Sequence, residues 1–194
     1  VPSRRAPAAV VDLANCNGCG RCFADCPYGA VIMLPRSDGR RHPREAVVQT
    51  DLCASCGICA GACPSSTPFR SVTLFRTGIE MPQRPMGLLR DELERAIEEL
   101  QGASTTIAFT CEHGSSPAAQ IGVAVLKLPC IGVLPPSFVE YALRAGVDGV
   151  FVAACSGGDC EFKSGDTLLQ QRLAGEREPR LRASVARERV CVAQ

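Results

Sequence analysis

Two runs of cysteines carry the chemistry of this chain. Cys16, Cys19, Cys22 and Cys26 stand before Pro27, and Cys53, Cys56, Cys59 and Cys63 stand before Pro64, so the pattern C-x-x-C-x-x-C-x-x-x-C-P is written twice. A four-iron cubane needs four thiolates at the corners of a tetrahedron, and one loop supplies three of them when cysteines sit three apart. The fourth must come from elsewhere, and in two-run arrangements it is the last cysteine of the other run. This crossing assigns Cys16, Cys19, Cys22 and Cys63 to one 4Fe-4S cluster and Cys53, Cys56, Cys59 and Cys26 to a second. Gly18, Gly20 and Gly57 permit tight turns that aim backbone N–H groups at cluster sulfurs. Zinc competes, because C-x-x-C pairs also build zinc ribbons, but a zinc site uses two pairs and has no use for a third cysteine and a trailing C-P in both copies.

A second set consists of Cys111, Cys130, Cys155 and Cys160. The first three each follow an apolar run, directly or after a short connection. If those runs are parallel strands, all three cysteines share the carboxyl edge of one sheet, where α/β folds place their sites. Cys160 joins them through a Ser-Gly-Gly-Asp loop. Four thiols converging there would suit a 2Fe-2S cluster. Three other readings stand beside it: half a Rieske box at Cys111-Glu112-His113, for which the only other histidine is the distant His42; a redox dithiol of Cys155 and Cys160; and independent buried cysteines. Cys191 reads as a free thiol without a role.

The elements that must position these ligands are legible in the apolar runs. Ala9 to Leu13, Ala30 to Leu34 and Ala46 to Thr50 read as short strands around the first ladder, with a turn at Asp38-Gly39. After Pro64 the strand pattern repeats over residues 71–75, displaced by a surface insertion at residues 65–68. Leu88, Leu89, Leu93, Ala96, Ile97 and Leu100 recur at helical spacing, and Gly102 is expected to stop that helix. Continuous apolar runs at 106–110, 122–126 and 149–154 fit buried parallel strands. A helix is expected over 136–145, with proline near its start and glycine at its end, and a last helix over 167–173. The arginines from Arg172 to Arg189 read as a basic tail.

The doubled ladder resembles the bacterial-type two-cluster ferredoxins. The segment from Thr105 to about Val190 resembles the delta-subunit family of methyl-viologen-reducing hydrogenase, an iron-sulfur domain also fused to the A subunit of heterodisulfide reductase. That second resemblance rests on Phe109-Thr110-Cys111, on Leu128-Pro129-Cys130-Ile131-Gly132, on residues 145–152, and above all on Cys155-Ser-Gly-Gly-Asp159-Cys160. It implies a 2Fe-2S cluster held by Cys111, Cys130, Cys155 and Cys160. The expected fold is an α+β ferredoxin-like N-terminal domain with two 4Fe-4S clusters, followed by a small α/β domain with a parallel sheet. Its divisions are residues 1–80 for the two-cluster domain, 81–103 for a linker with an amphipathic helix, 104–175 for the α/β 2Fe-2S domain and 176–194 for the tail.

Composition agrees with such a protein. Hydrophobic residues make up 46% of the 194, enough for a real core, and a net charge of +1 gives no bulk field toward nucleic acid or membrane. No apolar run reaches the ~18 residues that a membrane span needs. Thirteen cysteines in metal-type ladders, with no signal peptide in view, suggest a reducing, cytoplasmic setting. The Val1 start suggests an excerpt or a processed chain. No nucleophile–base pair, phosphate loop or dinucleotide fingerprint accompanies the ladders, so no catalytic site is expected. The expectation is an electron-transfer subunit relaying through two 4Fe-4S clusters and one 2Fe-2S cluster. Its partners would be other redox subunits of flavin, hydrogenase or cytochrome b type, at the cytoplasmic face of the membrane where such a partner spans it. The alternative is a thiol-disulfide or heterodisulfide reductase with Cys155 and Cys160 reacting directly.

Overall fold

A computed structural model describes residues 6–66, 77–100, 102, 104–114, 120–155 and 158–193. The first half is built from β1 (Val10–Val11), α1 (Arg21–Ala24), β2 (Val31–Pro35), β3 (Arg44–Val48), α2 (Ile58–Ala62) and β4 (Ile79–Glu80). β1 pairs antiparallel with β4, and β2 with β3. Strand–helix–strand thus occurs twice, each unit lending one strand to both small sheets. The helices are short because each fills only the gap between a third and a fourth cysteine.

Both ladders turn through left-handed backbone. Gly57 shows why glycine stands there: its φ is +79, and a Cβ on it would lie 2.6 Å from Val133 Cγ2. Gly18 is also left-handed, but the matching position of the second ladder is Ser55, at φ 58. The Ser55 hydroxyl donates to Ala6 O and Pro7 O, each at 2.9 Å, and so ties the N-terminal segment to this ladder.

The strand expected over 71–75 lies outside the described residues, as do Thr67 and Pro68 of the expected insertion. Ser66 of that insertion is not at the surface. It is fully buried, its hydroxyl donates to Ala60 O at 2.6 Å, and its carbonyl accepts from Ser137 Oγ at 3.2 Å.

The second half comprises α3 (Met86–Glu99), β5 (Thr106–Cys111), β6 (Val123–Leu128), α4 (Pro136–Arg144), β7 (Gly149–Ala153), α5 (Gly165–Ala174) and β8 (Val190–Ala193). The four strands form one parallel sheet in the order β6-β5-β7-β8. α3 buries Met86, Leu89 and Leu93, the i, i+3, i+7 stripe of an amphipathic helix, and packs on β6 and α4 rather than acting as a free linker. It ends at Leu100, whose backbone is already extended, so Gly102 is not what stops it. Residues 176–194 are likewise more than a tail, since they supply β8, paired to β7 from Val150↔Val190 to Ala153↔Ala193. Among the described residues no helix is long and apolar enough to cross a membrane.

The two halves share a core. Cys56, Ile58 and Ala60 of the second ladder pack into the same cluster as Phe109, Leu128, Ile131, Leu134 and Phe138. A smaller cluster, with Val31, Ala46, Ile79 and Met81, surrounds Cys22, Cys59 and Cys63.

Candidate functional site

The cysteines gather into groups by element. Cys16, Cys19, Cys22 and Cys63 line one small hollow, with Met33, Ala46 and Ile79 on its walls. Cys26, Cys53, Cys56 and Cys59 line a second, walled by Ala9, Val31, Val48 and Met81. In each hollow three cysteines come from one ladder and the fourth from the other, because α1 and α2 lie side by side and each carries its last cysteine across to its neighbour's loop. The apolar walls and four soft sulfur donors of each hollow suit a cubane.

All thirteen cysteines are free thiols. Burial and the nearby Cys63, Cys19 and Cys16 thiols push Cys22 up to about 12. Burial raises Cys56 to about 11 against hydrogen bonds from the backbone of Ile58 and its own N–H. Cys59, deeper still, is raised well above the usual thiol range by burial and by Cys56, Cys22, Cys53 and Cys26. Sulfurs set this close in apolar surroundings become thiolates when a cation is among them. Backbone N–H groups already point at several: Ala30 N–H donates to Cys26 Sγ at 3.3 Å, and Ser65 and Gly78 donate to Cys63.

The second cysteine set converges at the sheet edge. Cys111 ends β5 opposite Leu128 of β6, Cys130 follows two residues after Leu128, and Cys155 follows two residues after the end of β7. Burial, then a hydrogen bond and charge from Cys111, then Cys160, push Cys155 up to about 12. Burial raises Cys130 too, opposed by the Gly132 N–H and reinforced by Cys160, Cys56 and Cys111. Ser156 and Gly157, in the loop to Cys160, lie outside the described residues. The Rieske alternative finds no second histidine nearby: His113 packs edge-on against Phe162 at 5.5 Å, while His42 sits exposed in the β2–β3 connection. Cys191 lies exposed on β8, remote in sequence register from the carboxyl-edge cysteines.

The groups share packing. Cys22, Cys59 and Cys63 lie in one buried cluster, with Cys16, Cys26 and Cys53 packed against it, and Cys56 lies in another with Cys111, Cys130 and Cys155. Tyr28 lines the second hollow and packs against the latter cluster, and its hydroxyl is raised chiefly by burial, then by Cys56, Cys160 and Cys130. Lys163 covers that ring at 4.5 Å and donates to Pro27 O at 3.4 Å.

Arg172 does not belong to a basic tail. It lies within α5 with its side chain 0% exposed. Its Nη2 donates to Asp25 Oδ2 at 2.5 Å, and Arg177 Nη1 donates to Asp25 Oδ1 at 2.5 Å. Asp25, between the third and fourth cysteines of the first ladder, is 1% exposed. A signal for Arg172 is present in the sequence, since it stands three and four residues from Leu169 and Leu168 on the buried face of α5.

Comparison with known proteins separates the chain into two matched segments. Residues 15–67 match the family described as a 4Fe-4S dicluster domain, and residues 106–194 match the delta subunit of methyl-viologen-reducing hydrogenase. Over 70 residues the chain is 31% identical to an iron-sulfur subunit of the F420-non-reducing hydrogenase vhc of Methanococcus voltae, covering 32% of this chain and 49% of that protein. Over 50 residues it is 46% identical to an iron-sulfur subunit of the F420-non-reducing hydrogenase of Archaeoglobus profundus, covering 26% of this chain and 36% of that protein. The chain thus spans half or less of the length of the relatives it matches. It joins a 4Fe-4S dicluster domain to a domain of the methyl-viologen-reducing hydrogenase delta-subunit family.

Proposed function

We infer that this chain is an electron-transfer unit of a larger redox complex, carrying two 4Fe-4S clusters in a ferredoxin-like half and one 2Fe-2S cluster at the sheet edge. Clusters of these kinds supply one-electron transfer. Cys16, Cys19, Cys22 and Cys63 would hold the first, Cys53, Cys56, Cys59 and Cys26 the second, and Cys111, Cys130, Cys155 and Cys160 the third. The observation that carries this reading is that Cys22, Cys59 and Cys63 pack in one buried cluster while Cys56 of the second ladder packs with Cys111, Cys130 and Cys155 in another, so the ladders link the three four-cysteine groups. The order is then first cubane, second cubane, sheet-edge cluster. At the far end Cys19 is exposed, while Cys111, Cys130 and Cys155 are buried, so the two ends of the series meet solvent differently.

Relatives are iron-sulfur subunits of hydrogenases, and the partner of this chain is proposed to be a redox subunit of a comparable complex, in the cytoplasm or on the cytoplasmic face of a membrane. The reactive-dithiol reading is less well supported, because Cys155 stands beside Cys111 as well as Cys160, as a set of more than two thiols would.

Iron and sulfide analysis with EPR of the reduced protein tests the proposal: roughly ten irons and ten sulfides per chain and two spectral types are expected. Zinc, or a single cluster type, would sink it. In Cys111→Ser the 2Fe-2S signal should be lost while both cubane signals remain; a dithiol centre at Cys155 and Cys160 would keep its reactivity in that variant.

A further inference from the structure

One buried guanidinium touches segments that carry cysteines of the second hollow and of the sheet edge. Arg172 Nη1 donates to Gly132 O at 2.8 Å, two residues beyond Cys130. Its Nη2 donates to Asp25, next to Cys26, and makes a longer contact of 3.5 Å with Ile58 O, between Cys56 and Cys59. Asp25 is itself fixed from the other side by Arg177. The helix bearing Arg172 also presses on the sheet edge at its start, where a Cβ on Gly165 would lie 2.2 Å from Cys130 Sγ.

We propose that Arg172 is a positioning residue for electron transfer between the second cubane and the 2Fe-2S cluster, its guanidinium holding the loops of Cys26, Cys56, Cys59 and Cys130 at one spacing. The proposal rests on the ligand sets of the proposed function. Its physical content is that a planar fork with several fixed donors satisfies a carboxylate and two carbonyls at once, whereas a single ammonium or an apolar side chain cannot. Each acceptor belongs to a different segment, Asp25 directly after α1, Ile58 at the start of α2 and Gly132 in the turn after Cys130, so removing the fork leaves the segments individually intact and frees their mutual spacing. Electron transfer between fixed centres depends on that spacing, as any reaction depends on the placement of its groups.

The test uses the whole chain, with its clusters assembled from iron and sulfide under anaerobic conditions, and compares it with Arg172→Met and Arg172→Lys. The readout is the magnetic interaction in the fully reduced EPR spectrum. Iron content should stay at the unsubstituted level, the splitting between the second cubane and the 2Fe-2S cluster should be lost or smeared, and that between the two cubanes should persist. Unchanged splitting in variants with full iron content would overturn the proposal. Where Arg172→Met fails to assemble, Arg172→Lys decides by the same readout, since it keeps a charge for Asp25 and lacks the fork. Loss of all clusters in both variants would also overturn it, leaving Arg172 a residue required only for folding. Failure of the ligand assignment shows instead in the unsubstituted chain, as absence of a 2Fe-2S signal, and removes the proposal with it.

Discussion

In the ladder half, one loop brings three cysteines of each group together, and only the fourth depends on the neighbouring helix. In the sheet half, Cys111, Cys130 and Cys155 come from three different strands, and their meeting depends on β5 pairing with β6 on one side and β7 on the other. Local spacing carries the first arrangement and long-range topology carries the second. The ladder half should therefore keep its cysteine geometry under perturbations that scatter the sheet-edge set. What couples the halves is the shared core around Ile58 and the Asp25–Arg172 pair.

Breaking that coupling should have the largest effect. Asp25→Ala leaves Arg172 buried without its carboxylate, and an uncompensated buried charge costs about 3–5 kcal/mol. Denaturant unfolding of the cluster-loaded protein should show a drop of that order, with the sheet half losing its structure before the ladders. A loss of less than about 1 kcal/mol would place the pair with ordinary surface bridges and dissolve the distinction between the halves.

Next comes Gly165→Ala, which perturbs the sheet half alone. Its new methyl would fall 2.2 Å from Cys130 Sγ, so either α5 or the Cys130 loop must move. Overpacking of this kind costs about 1–3 kcal/mol. The visible and EPR signature of the third cluster should weaken while both cubane signals stay. Equal loss of all three would show that the sheet edge is no more fragile than the ladders. Gly87→Ala, on α3, sharpens the point from the opposite side. Nothing lies within 4 Å of the added methyl, so replacing a helical glycine should raise stability by about 0.5–1 kcal/mol in denaturant unfolding and leave every cluster signal alone.

The same contrast governs how much the order of residues discloses by itself. Three of the four cysteines of each hollow follow from spacing within a loop, and continuous apolar runs announce parallel strands, hence a common edge for Cys111, Cys130 and Cys155. The spacing of α5 places Arg172 on its buried face, but the partner is hidden, because Asp25 sits 147 residues away in a ladder whose cysteines dominate the pattern. β8 is hidden because Val190-Cys191-Val192-Ala193 is four residues long and follows several arginines, and its place is fixed by pairing with β7 across α5. Ser66 reads as part of a polar insertion, and its burial depends on α4, far along the chain. Whatever depends on contacts across the chain escapes periodicity, which reports only near neighbours.

The smallest effect expected lies in the β2–β3 turn. Arg36 holds Asp38 down at about 2, chiefly through their hydrogen bond, with help from the Arg40 N–H. Arg36 also donates to Cys16 O at 2.7 Å and Leu13 O at 2.5 Å, so this pair steadies the start of the first ladder. A carboxylate whose pKa is lowered on folding stabilises the fold while it is ionised in both states. The contribution is full above the ordinary value of 3.8 and is lost as pH falls through about 2. Thermal midpoints of the native chain and Asp38→Asn should therefore differ by a constant small amount from neutral pH down to about 4, and converge below it. Amide exchange should place that difference in residues 13–16 and leave β5 to β7 untouched. A gap that widens toward acid, or one spread over the sheet, would mean that the first ladder is not held locally.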